Sequence, residues 1–157
     1  MKITNGGKGI HQREIPGIEK LKELPEHWHA FTNLDLALPG KGAREIDLIL
    51  VIEDRLLLVD LKDWVGPVKS QDGHWFNRNR DCGRSPVGKI AENVRELAPL
   101  LKKFLSEQEK KESGLARRLS APWIEGVVVL TRVTDRTGIA PSEAARVFSI
   151  VPFMRLL

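Results

Sequence analysis

The sequence predicts an α/β domain in three layers, α/β/α, around a central mixed β-sheet. The segment EIDLILVIEDRLLLVDLKDW, residues 45–64, holds two apolar blocks either side of Glu53 and Asp54. Each is strand-length and apolar on both faces, as central strands of a covered sheet are. Further along, Val87, Ile90, Val94, Leu97, Leu101 and Phe104 form one helical stripe, and GVVVL supplies another buried strand. Strands separated by helices, with both sheet faces apolar, call for helices on both sides.

Each element has its own signal. The start, MKITNGGKGI, is Gly-rich and reads as irregular. Ile15, Ile18, Leu21 and Leu24 recur at three-residue steps, which predicts a short helix from Glu14 despite Pro16 and ended before Pro25. HWHAFTNLDLAL is a strand, PGKG at 39–42 is loop, and the two central strands follow. QDGHWFNRNRDCGR mixes turn residues with arginines and reads as a surface loop or short hairpin. Ser85 suits an N-cap and Pro86 the first helical position, opening a helix that runs to about Leu105. SEQEKKESG is then a solvated connection, IEGVVVLTR and RVFSI are strands, and VPFMRLL closes the chain.

A chain of 157 residues is the usual size of one domain, so residues 1–157 are expected to share one core. With 25 Lys and Arg against 21 Asp and Glu, the net charge of +4 permits a polyanionic partner without pointing to one. The single cysteine, Cys82, forms no internal disulfide and no Cys-rich metal cage, which reads as intracellular. His27 and His29 lack further ligands at zinc spacing. No apolar run approaches the roughly 20 residues of a membrane span, and no apolar stretch follows the first lysine as a signal peptide requires. A soluble, cytoplasmic protein is expected.

The apolar hairpin carries Glu45, Asp47, Asp60 and Lys62 at its outer ends. If its loop is of two or four residues centred between Glu53 and Asp54, Asp47 faces Asp60 and Glu45 faces Lys62, all on one face. Directly opposed residues have Cβ atoms about 5 Å apart, and like charges so placed are destabilising unless a cation lies between them. A divalent metal meets that need. A loop of three or five residues would instead send the two aspartates to opposite faces. A blander reading also fits: two strand-end aspartates in water, with Lys62 as a salt-bridge partner.

EID before an apolar strand, a short turn, LLLVDLKDW and then Gly66 resembles the nuclease-related domain (NERD) branch of the PD-(D/E)XK phosphodiesterases. DGHW, SPVGKIAEN opening a long helix, and GVVVL continue the likeness in the same order, from about Glu14 to the end. The resemblance implies a restriction-endonuclease-like core and a Mg²⁺- or Mn²⁺-dependent nuclease acting on nucleic acid, DNA more than RNA. It makes Asp47 and Asp60 metal ligands, adds the Leu61 carbonyl, and makes Lys62 the catalytic lysine. The helix-borne glutamate of the family matches Glu14 best, with Glu19 in competition. The chain departs from the pattern in three places: aspartate before the x-K, Pro16 beside Glu14, and Lys89 where glutamine is frequent. Asn93, one helical turn after Lys89, matches.

Hard carboxylates are what Mg²⁺ prefers, and Lys62, two residues from Asp60, falls on the same strand face. Glu45 either orients Lys62, joins the metal or makes a plain ion pair. Arg78, Arg80 and Arg84 suit phosphate contacts as planar donor forks or else lie in a solvated loop, and Lys89 has the same two readings. Trp64 and Trp75 either stack on bases or belong to the core. The competing function is a catalytically silent nuclease-like module that binds nucleic acid or a partner protein. NERD-like domains often precede kinase or helicase domains in bacterial proteins, including phage-defence systems, so the chain is also expected to serve as the front of a longer polypeptide.

Overall fold

The chain begins in a strand, not in the irregular segment its glycines suggest. In the computed structural model, which describes residues 1–6, 11–38, 42–53, 55–111, 120–133 and 135–157, Lys2–Asn5 forms β1, followed by α1 (Ile15–Leu21) and β2 (His29–Leu38). Next come β3 (Gly42–Ile52), β4 (Arg55–Lys62), β5 (Val68–Gln71), β6 (His74–Asn77) and β7 (Arg80–Arg84). The chain continues as α2 (Pro86–Lys111), β8 (Trp123–Leu130), α3 (Pro141–Ala144), β9 (Val147–Ser149) and α4 (Ile150–Leu156). Pairing with β2 makes β1 a strand: the two run parallel, and the Thr32 hydroxyl donates to the Asn5 side chain at 2.7 Å. The expected loop at 39–42 (apart from Gly42), Asp54 of the hairpin turn and the end of SEQEKKESG lie outside the described residues.

Six strands form the main sheet in the order β1-β2-β3-β4-β8-β9, and β5-β6-β7 form a second, smaller sheet. The main sheet is mixed: β2, β3 and β4 run antiparallel in turn, while β4, β8 and β9 are parallel. The hairpin of β3 and β4 sits at its centre. Its pairing runs from Ile52↔Arg55 to Leu48↔Val59, the register of a loop centred between Glu53 and Asp54.

Period-two alternation in β4 and β8 sends Leu57, Val59, Leu61, Val127 and Val129 to one core cluster, with Ile18 and Leu21 of α1 and Ile150 and Phe153 of α4. Leu58, Val128 and Leu130 go to a second cluster, with Val87 and Ile90 of α2 and Val68 and Trp75 of the small sheet. Helices thus cover both faces of a central mixed sheet.

The Ser85 hydroxyl accepts the Gly88 N–H at 3.4 Å, the capping geometry expected for the start of α2. The helix runs past Leu105 to Lys111, so residues 106–111 are helical; Glu, Lys and Gln are strong helix formers, and Lys103 and Glu107 pair one turn apart. Its stripe is buried only near the start. Val87 and Ile90 are in the core, Val94 and Leu97 are partly covered, and Phe104 is 54% exposed. Ile15, expected on the inner face of α1, is likewise 42% exposed. Among the described residues no helix is long and apolar enough to cross a membrane.

Candidate active site

The regular β3–β4 ladder stops at Leu48↔Val59, one residue short of the aspartates. Beyond that point Asp47 Oδ2 accepts the Leu61 N–H at 3.0 Å, so a side-chain carboxylate takes the place of a strand carbonyl and the strands part around it. On the other side of β3, Asn33 of β2 has a left-handed backbone (φ 50°) and interrupts the pairing between Thr32↔Leu48 and Leu34↔Ile46. Asp47 is thereby turned out of both ladders.

Asp60 follows on β4, and the Lys62 ammonium makes an ion pair with its Oδ1. Burial, then the charge of Asp60, pushes the Asp47 carboxyl up to about 6, against the opposing pull of Lys62 and the Leu61 N–H. For Lys62, burial alone would lower the pKa, but Asp60, Asp47 and Glu14 together outweigh it and hold the amine above its ordinary value. Two neighbouring carboxylates therefore share one protonated lysine.

A third carboxylate arrives from α1. Glu14 occupies the helix N-cap, and its carbonyl accepts the Ile18 N–H at 2.9 Å. Pro16 lies in the first turn, where its missing N–H costs no intrahelical bond, so it starts the helix and does not break it. Gly17 allows the helix to seat closely: a Cβ there would come within 2.8 Å of the Thr131 methyl beyond the end of β8. Seated so, Glu14 is 8% exposed and its Oε2 has no hydrogen-bond partner. Burial, then Asp47, raises its pKa, with Glu45 adding to the effect and His11 and Lys62 opposing it. Glu19, its competitor in the sequence, is exposed and pairs with Lys22 at 2.5 Å, away from the site.

The expected Glu45–Lys62 facing pair is corrected by this geometry. Because the strands separate at Asp47, Glu45 bonds His11 Nε2 at 3.2 Å and the ion pair of Lys62 is with Asp60. Below the site, Asp63 ties the end of β4 to the end of β8 through the Thr131 hydroxyl at 2.6 Å and the Arg132 guanidinium at 2.7 Å.

These groups open into a cleft of about 1160 Å³, with Glu14, Asp47 and Lys62 among its lining and Arg13, Trp64, Arg78, Arg80 and Lys89 around them. A smaller hollow of about 270 Å³ adjoins it, bordered by Asp47, Asp60, Lys89 and Asn93. Arg84 belongs to neither. It points to Glu92 of α2 at 2.5 Å, which holds that carboxylate below the usual range, so the three arginines of the sequence separate into two in the cleft and one in a structural pair. Asn93 accepts from Arg44 at 3.4 Å. The tryptophans separate as well: Trp75 is fully buried and donates to Glu143 at 2.8 Å, whereas Trp64 is half-buried and lines the cleft. His11, Arg13, Arg44 and the Asp63–Thr131–Arg132 tie carry no sequence pattern that would have marked them.

Among the described residues no set of three or more His, Cys, Asp or Glu is arranged as a metal cage. The donors nevertheless fit a hard divalent cation that keeps most of its shell for water and substrate. Asp47 and Asp60 repel each other in a partly buried site, and Glu14 offers an oxygen with no donor.

Residues 12–131 match the nuclease-related domain family, NERD. The chain belongs to that family. The match starts two residues before Glu14 and ends at Thr131, so the NERD span holds Asp47, Asp60, Lys62 and the whole of α2, and leaves out β1, α3, β9 and α4. The chain is also 31% identical over 150 residues to the "Probable kinase PglW" of Streptomyces coelicolor, an alignment covering 86% of this chain and 10% of that protein. It thus spans about a tenth of the length of the curated relative it matches. No solved structure matches the chain.

Proposed function

We propose that this NERD domain has a PD-(D/E)XK, restriction-endonuclease-like core and is a Mg²⁺- or Mn²⁺-dependent nuclease, hydrolysing phosphodiester bonds in nucleic acid, DNA in preference to RNA. The observation that carries the reading is the meeting of Glu14 from the start of α1 with Asp47 and Lys62 of the β3–β4 hairpin in one cleft, Asp60 lining the adjoining hollow and paired to Lys62. We further read residues 1–157 as one module of a longer protein, which the short share of the PglW relative supports, and that longer protein as one of the DNA-processing or phage-defence kind.

Asp47 and Asp60 would hold the cation, with the Leu61 carbonyl as a further oxygen; once bound it supplies Lewis-acid activation of phosphate and of water. Lys62, kept protonated by its three carboxylate neighbours, stabilises the negative charge that grows on the phosphoryl oxygens as water attacks. Glu14, its carboxyl above the usual range, accepts the proton that the water gives up. The new bond is water oxygen to phosphorus, the broken bond is phosphorus to the sugar oxygen, and that oxygen leaves with a proton from solvent. Arg78, Arg80 and Lys89 grip flanking phosphates.

The deciding measurement is Mg²⁺- and Mn²⁺-dependent nicking of plasmid DNA, beside cleavage of an RNA of similar length, by wild type and an Asp47→Asn, Asp60→Asn double variant. Activity in the wild type alone supports the reading. The Lys62–Asp60 ion pair favours one rival, the silent module, because it gives Asp60 a cation without any metal. A wild type that binds nucleic acid but cuts neither substrate with any divalent ion would establish that rival.

A further inference from the structure

The wall of the cleft opposite α1 is built in an unusual way. The β6–β7 hairpin turns through Arg78 and Asn79, both with left-handed backbone (φ 50° and 64°), between the paired residues Asn77 and Arg80. That is a type I′ turn, whose first central position favours Asn, Asp or Gly over a long β-carbon-bearing side chain. The surroundings hold the arginine there. Its N–H bonds the Pro67 carbonyl at 3.3 Å, and Asn77 donates to the Val65 and Pro67 carbonyls at 3.1 and 3.2 Å. Its side chain crosses Gly66 (φ 88°), where a Cβ would come within 2.8 Å of Nε. The arginine's backbone is thereby held at the cleft edge, with its side chain packed on Gly66.

Beside it lies Trp64, two residues past Lys62. Trp75 braces it from inside, ring centroids 6.1 Å apart at 59°, and the preceding residue, Asp63, is anchored to Thr131 and Arg132. The part of Trp64 left uncovered faces the cleft. At about 1160 Å³ the cleft exceeds slightly the 300–1,000 Å³ or so that encloses a drug-sized ligand, which is room for very few nucleotides.

We propose that the cleft takes an unpaired strand, a single-stranded nucleic acid or a melted end, with one base stacked on Trp64 and the adjoining phosphates on Arg78 and Arg80. A base within a duplex turns its faces to its stacked neighbours and cannot lie on an aromatic side chain, whereas every unpaired base offers a π-face. A backbone-anchored Arg78 with Arg80 two residues on, and a braced indole two residues past Lys62, fit a strand that enters with its bases splayed. The proposal rests on the nuclease reading for the identity of the ligand, and deepens it.

The test is fluorescence anisotropy in EDTA with a labelled single-stranded oligonucleotide and with the blunt duplex of the same length, at several salt concentrations. Wild type should bind the single strand about tenfold tighter or more, and Trp64→Ala should lose about tenfold or more of that affinity, the scale of one stacked base. Trp64→Phe should retain most of it. The salt dependence should not change in Trp64→Ala, because stacking releases no counterions, and should flatten in Arg78→Ala. Equal or tighter duplex binding by wild type overturns the proposal, as does unchanged single-strand affinity in folded Trp64→Ala. If Trp64→Ala does not fold, the wild-type comparison and Trp64→Phe decide. Single-strand preference without cleavage under any divalent ion defeats the nuclease reading and leaves this one standing; duplex nicking without single-strand preference does the reverse.

Discussion

Asp47 shows how a carboxylate buried beside another costs stability. Its folded pKa of about 6 lies above the ordinary 3.8, so its contribution to stability is full below pH 3.8 and is lost as pH rises through about 6. Asp47→Asn keeps an oxygen for the Leu61 N–H and removes the charge. Without metal, the variant is expected to be more stable than wild type by about 1–2 kcal/mol at neutral pH, after allowance for water at the cleft. The gap should close as pH falls from about 6 to about 4; thermal melts of both proteins in EDTA across that range check it, and a pH-independent gap defeats it. Lys62 acts in the opposite sense. Lys62→Ala removes the cation that both aspartates share and is expected to lower cleavage about 10²-fold or more, with nucleic-acid affinity nearly intact because phosphate contacts are distributed over the cleft. Arg84, paired to Glu92, separates from Arg78 and Arg80 in this respect: filter binding should weaken and its salt dependence flatten for Arg78→Ala with Arg80→Ala, and stay as in wild type for Arg84→Ala. None of this separation was readable from three arginines in seven residues, because a partner on another element decides which one is free.

At the scale of elements, α1 controls the site by how closely it seats. Gly17 meets the Thr131 methyl, so Gly17→Val forces the helix outward at a cost of about 1–3 kcal/mol for overpacking. Glu14 moves with it, and cleavage is expected to fall further than the loss of stability explains; plasmid nicking by a variant shown folded by circular dichroism checks this. The choice between Glu14 and Glu19 belongs to this scale too. Both precede or lie within the same short helix in the sequence, and only the direction in which α1 meets β4 and β8 puts one in the cleft and the other beside Lys22. Likewise β1 and α4 escaped the sequence, since β1 is a strand only through its pairing with β2, and α4 shows little beyond Ile150 and Phe153 to mark its buried side.

For the whole molecule, the parted strands, α1 and the small sheet together make the cleft in which Glu14, Asp47 and Lys62 meet. Mg²⁺ is expected to raise the melting temperature of wild type at pH 7.5, only at high concentration because few protein oxygens take part, and to leave the Asp47→Asn, Asp60→Asn variant unmoved. Equal metal responses in the two would mean that the aspartates are ordinary strand ends. The sequence by itself determined the centre of the sheet, since both apolar blocks around Glu53 and Asp54 are built for burial on two faces, but left two hairpin registers open, between which the pairing from Ile52↔Arg55 to Leu48↔Val59 decided. It also determined the start of α2, where Ser85 and Pro86 announce it, and the NERD membership, which rests on the order and spacing of short motifs. Tertiary structure decided what each polar residue touches. Glu45 turned to His11, Lys62 to Asp60 and Arg84 to Glu92, while Trp64 went to the cleft and Trp75 to the core. Local sequence encodes periodicity and turn chemistry, whereas the partner of a charged or aromatic side chain depends on which distant element packs over it.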